Sequence, residues 1–160
     1  MGASHNDGAV DLLKMAYDGA KRVQTGFCEP HDDWQPMLLF RTTTGTVHIA
    51  AVPLSAGRQE VAAAAITAVL KQRRAVEAVW LSSAWEVVPP PNADWTSITP
   101  SQHPDRREIL FLLHVGTDFA VARRASIQRH TDTAPRLADL GEAEENVDGL
   151  FTTALRQGIS

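Results

Sequence analysis

Apolar residues recur at helical spacing from the start of the chain: Ala9, Leu12, Leu13, Ala16, Ala20 and Val23 share one face. The pattern predicts a helix over about Asp7–Gln24, capped by Asn6 or Asp7, with Gly26 placed for a left-handed C-terminal residue. Two prolines then bracket a loop, Cys28–Pro36. Met37–Arg41 and Thr46–Val52 read as the arms of a hairpin about a Thr44-Gly45 turn. A second helix is expected from a Ser55 cap to about Arg74. Its stripe is Val61, Ala62, Ala65, Ile66, Val69 and Leu70, with alanines at 62–65 allowing close approach to a sheet.

Val76–Val88 carries apolar residues on both faces and ends at three consecutive prolines, so it reads as a third strand. Residues 89–107 form a long polar, proline-rich loop in which Trp95 and Ile98 are the large apolar residues. Glu108–Val115 is apolar at both parities, the signature of a strand buried on both faces. Phe119–Arg129 alternates and completes a second hairpin after Gly116-Thr117-Asp118. An acidic segment over about 139–160 holds a last helix, expected at Glu142–Arg156.

These elements predict one α+β domain over 1–160, with a five-stranded mixed or antiparallel sheet and two to three helices in the order α-β-β-α-β-β-β-α. As a string of elements, that order is similar to roadblock-type and other profilin-like domains over most of the chain. No sequence motif accompanies the likeness, and it implies nothing about function. The central strand makes a sharper demand. Ile109, Phe111, Leu113 and Val115 point one way while Leu110 and Leu112 point the other, and Trp80 and Trp85 likewise diverge. Should all helices lie on one side, the second face needs a cover: the 89–107 loop, the C-terminal helix, or a second copy of the chain. Homodimerisation through the sheet or its edge is therefore expected.

Composition narrows the class. Hydrophobic residues at 44% of 160 exclude bulk disorder. A single cysteine, Cys28, forms no internal disulfide. No apolar run approaches the roughly 18 residues that span a bilayer, and the first residues lack the pattern of a signal peptide, so a cytoplasmic protein without a membrane partner is expected. A net charge of −4 argues against nucleic acid as partner. Lysine occurs only at 14, 21 and 71, and this arginine bias resembles the usage of GC-rich bacterial genomes and their phages.

Candidate chemistry is sparse. His31, Asp32 and Asp33 carry ligand types a hydrolytic metal site uses, but their spacing matches no metal signature and suits a solvated loop. His103 and Asp105 offer an acid/base or ligand pair beside Arg106 and Arg107, which suit an anion. A turn at Pro104-Asp105 explains the same residues. Glu86, on an otherwise apolar strand, needs a partner such as Arg123 or Arg124 if buried. Ser82 and Ser83 lack a nucleophile elbow, and His48 and His114 read as strand residues with hydrogen-bond partners. No phosphate loop, dinucleotide fingerprint or zinc motif occurs, so no cofactor is expected.

The first functional expectation is a non-catalytic bacterial or phage accessory protein that binds a protein partner or itself, with Trp85, Trp95, Arg106, Arg107, Arg123 and Arg124 as contact candidates. A metal-dependent hydrolase, drawing on His31, Asp32, Asp33, His103 and Asp105, is the alternative. A third reading is a small-ligand pocket near Trp80, Trp85 or Trp95.

Overall fold

The computed structural model describes residues 11–54, 57–87, 106–145 and 147–159. Trp95, His103, Asp105 and the expected caps Asn6, Asp7 and Ser55 lie outside them. The order is α1 (Leu12–Gln24), β1 (Met37–Thr42), β2 (Val47–Ala51), α2 (Gln59–Gln72), β3 (Ala75–Glu86), β4 (Arg107–Gly116), β5 (Ala120–Gln128), β6 (Arg136–Leu137), β7 (Glu144–Glu145) and α3 (Leu150–Gly158). All strand pairings are antiparallel, in the order β2-β1-β3-β4-β5-β6, with β7 also on β5. The chain is thus α+β, with three helices among the described residues.

The sheet has seven strands rather than five. Strands β6 and β7 have two residues each, too few to show an alternating pattern. Glu144–Glu145 adds to β5 at the place where the last helix is expected to begin, and Gly149, at φ 146°, delays α3 to Leu150. Helix α1 is capped by Asp11, whose side chain accepts from the Lys14 N–H, and it closes at Thr25 in a right-handed conformation instead of at a left-handed Gly26. Helix α2 starts at Gln59, not Ser55, without a side-chain cap. Its buried line is Ala62, Ala63, Ile66 and Leu70, whereas Val61 and Val69 from the expected stripe are exposed.

Helices lie on both faces. On one, Leu12, Leu13, Ala16 and Ala20 of α1 pack with Leu39, Val79, Leu81, Leu110, Leu112 and Ile127. On the other, Ile66 and Leu70 of α2 and Leu155 of α3 pack with Leu38, Phe40, Trp80, Leu113 and Val115. Strand β4 therefore feeds both cores, as its sequence requires. Helices α2 and α3 meet closely: a Cβ on Gly158 would fall 2.6 Å from Leu70 Cβ, and Thr67 Oγ1 donates to Ala154 O at 2.8 Å. Trp80 stacks on Phe151 with ring centroids 4.7 Å apart. The second face is thus covered from within the chain, by α3 together with α2, and an uncovered face supplies no motive for dimerisation.

Leu112→Ala and Leu113→Ala remove side chains from opposite cores. Each is expected to destabilise the protein by about 2–5 kcal/mol in urea unfolding, the range for leucine truncation in a dry core. A strand wetted on one flank would instead show a cost below about 1 kcal/mol for one of the pair.

Candidate functional site

The 28–36 loop is held by its own acidic residues. Asp32 Oδ2 accepts from the Cys28 and Glu29 N–H groups at 2.8 and 2.9 Å, and these two bonds hold its carboxyl below the ordinary value. Asp33 accepts from its neighbour Trp34 N–H at 2.8 Å and from Ser83 Oγ at 3.1 Å. Arg129, at the end of β5, ties the loop to the sheet. It clamps Glu108 through Nε (2.8 Å) and Nη2 (3.0 Å), while Nη1 donates to the carbonyls of Pro30 and Asp32. Both aspartates proposed as metal ligands are thereby occupied, and His31 is exposed beside them. Among the described residues no three His, Cys, Asp or Glu side chains are placed to hold a metal ion.

Glu86 finds the arginine that its position demands. Arg107 Nε donates to it at 2.9 Å, and Arg124 Nε lies 2.7 Å from Oε1 without the alignment of a hydrogen bond. Arg124 also pairs with Glu144 of β7 and lies over the Phe111 ring. Arg123 points to the opposite face, where Nε donates to Gly141 O at 2.7 Å. Arg106 stacks on Trp85, which is 43% exposed beside a hollow formed with His31, Glu108 and Arg129. Near the far end of the sheet, Glu77 accepts from Arg41 Nε (3.0 Å) and lies 2.6 Å from His114 Nε2, linking β1, β3 and β4. His48 stacks on Phe40. Of the charged candidates within the described residues, Glu86, Arg107 and Arg124 thus link neighbouring strands, whereas Asp32, Asp33 and Arg123 fasten loops.

The two sheet edges differ. The outer side of β5 is occupied along its length: β6 pairs at Ile127 and Gln128, β7 at Val121 and Ala122, and Ala138 and Gly141 donate to the carbonyls of Ser126 and Arg124 between them. Helix α1 fastens this border, with Tyr17 Oη donating to Ala138 O and Gln24 accepting from Leu137 N–H. The opposite border is β2, and none of the described strands pairs with its outer side.

The register of the β1–β2 hairpin determines what β2 presents. Thr42 N–H donates to Thr46 O and Val52 N–H to Pro36 O, so the even-numbered residues of β2 bond to β1. The N–H and C=O groups of Val47, Ile49 and Ala51 consequently face outward. Their side chains stand on the α1 face, and Ile49 is 58% exposed. Helix α1 packs chiefly over β1, β3, β4 and β6, leaving a cavity of about 470 Å³ between itself and the hairpin. Its walls include Met15, Trp34, Met37, Leu39 and Leu81, with Ile49 on the outer side.

Trp34 and Gly19 carry this cavity, and sequence reasoning passed over both. Trp34 sits between prolines and reads as a loop residue, yet it is buried, with Nε1 donating to Ala20 O at 2.9 Å. Gly19 interrupts the helical pattern at a cost of about 1 kcal/mol relative to alanine, a readable sign. The ligand pocket expected beneath the 89–107 loop falls, with Trp95, outside the described residues; of its other two markers, Trp80 is core and Trp85 borders a hollow with Pro30, His31 and Arg129.

No family model, curated protein or solved structure matches the chain.

The His114 and Arg41 hydrogen bonds hold the Glu77 carboxyl below its ordinary value of 4.5 against the opposing effect of burial. With a depressed folded value, its contribution is complete above the unfolded value and is lost as pH falls through the folded one. Glu77→Gln is expected to cost about 1–3 kcal/mol near pH 7, with the gap to wild type closing progressively below pH 4.5. Urea unfolding at a series of pH values measures it; a gap unchanged between pH 7 and pH 3 would contradict the assignment.

Proposed function

We propose that the protein is a non-catalytic, self-associating protein, and that the β2 edge is where one copy meets another. The supporting observation is the contrast between borders: one is covered by β6, β7 and their connecting backbone, while on the other the outward groups of Val47, Ile49 and Ala51 have no partner strand among the described residues. Strand β2, Val-His-Ile-Ala-Ala, has no Asp, Glu, Lys or Arg to repel its own copy. An antiparallel pairing about a two-fold axis at Ile49 sets Ile49 against the partner's Ile49, and Val47 against the partner's Ala51. It uses the outward groups in hydrogen-bonded pairs and leaves the β1 ladder untouched. Because helices cover both faces, association by the edge fits better than face-to-face stacking.

Sedimentation equilibrium tests this. Wild type is expected to be dimeric at micromolar concentration. Ile49→Lys places a charge on the edge, and Ile49→Pro removes an N–H that β1 does not use. Both are expected to be monomeric, with thermal midpoints within a few degrees of wild type. A wild type monomeric at about 100 μM, or variants that still dimerise, would contradict the proposal. A monomer with an intact edge would favour strand addition by a different protein.

A further inference from the structure

The cavity beneath α1 has the attributes of a ligand site, independently of whether the edge pairs. Its volume of about 470 Å³ lies within the range of roughly 300–1,000 Å³ for small-molecule sites. Trp34 is a fixed wall, held by its bond to Ala20 O. Met15 and Met37 are adaptable ones, since unbranched thioether chains conform to slender apolar bodies. Gly19 keeps the space open: a Cβ there would meet nothing nearer than Arg22 Nη2, at 4.0 Å. No crowding requires glycine at this mid-helix position, and a local rule broken without a packing reason marks a functional place.

Charge selects the class of ligand. The cavity is lined by Arg22 and Asp33 in addition to its apolar walls. Asp33 is committed to Trp34 N–H and Ser83 Oγ, with Arg129 Nη2 3.6 Å away. Arg22 has no carboxylate partner among the described residues. The geometry points to a binding site for a monocarboxylate with a straight apolar body, its chain against Trp34 and Met37 and its carboxylate on Arg22. A single guanidinium suits one carboxylate, and the apolar walls exclude a highly charged ligand.

Isothermal titration calorimetry with octanoate, and with octan-1-ol as its uncharged counterpart, tests the assignment. Octanoate is expected to bind wild type with one site per chain. Gly19→Leu fills the cavity and is expected to weaken octanoate at least tenfold, with a thermal midpoint equal to or above wild type. Arg22→Gln is expected to weaken octanoate about tenfold and to leave octan-1-ol unchanged. Neither position lies on β2, so both variants should sediment as wild type does. Absence of octanoate binding to wild type, equal binding to a folded Gly19→Leu protein, or an equal effect of Arg22→Gln on both probes would overturn the site.

Discussion

Strand β4 sets leucines on both of its flanks, Leu110 and Leu112 toward one side and Leu113 toward the other, and one layer of helices keeps only one side dry. That constraint organises the molecule. Helix α1 closes one face, while α2 and α3 close the other by packing against each other at Gly158 and Thr67. Burial on this scale is the main favourable contribution to folding, so the helices are placed where the strand's side chains require them. With both broad faces occupied, the borders of the sheet and the space that α1 leaves uncovered become two places where the described residues meet solvent.

Polar residues are distributed by the same logic. Arg129 with Glu108, and Arg41 and His114 with Glu77, stand near opposite ends of the face that α1 covers, where apolar packing gives out. Each group bridges strands or fastens a loop, and each charge has a partner, as partly buried ions require. The covered β5 border and the β2 border, unpaired among the described residues, then differ by physical construction. One is backed by the segment 136–145, itself pinned to α1, whereas the other ends in a short, uncharged strand.

Much of this was legible in the residues. Leu12, Leu13, Ala16 and Ala20 announce α1 by their spacing, and the leucines of β4 announce a strand needing two covers. Glu86 called for an arginine and has Arg124 and Arg107 beside it. What escaped lacked a periodic signal. Two-residue strands cannot alternate, and Glu144–Glu145 reads equally well as the acidic first turn of a helix. Trp34, within a proline-bracketed loop, is placed by contacts with the preceding helix α1, and local pattern does not encode such contacts. The cavity arises because α1 lies chiefly over β1, β3, β4 and β6, a matter of helix placement rather than composition. His31, Asp32 and Asp33 have the right chemistry for metal, but Asp32 and Asp33 spend it on turn amides and Ser83.

The most direct measurement is residue-resolved amide hydrogen exchange along β2 as a function of protein concentration. In dilute solution the N–H groups of Val47, Ile49 and Ala51 should exchange rapidly, alternating with protected His48 and Ala50. At concentrations where two copies associate, the same three amides should become protected while His48 and Ala50 change little. Uniform protection along β2 at every dilution, or three amides that remain fast in an associated sample, would contradict the account.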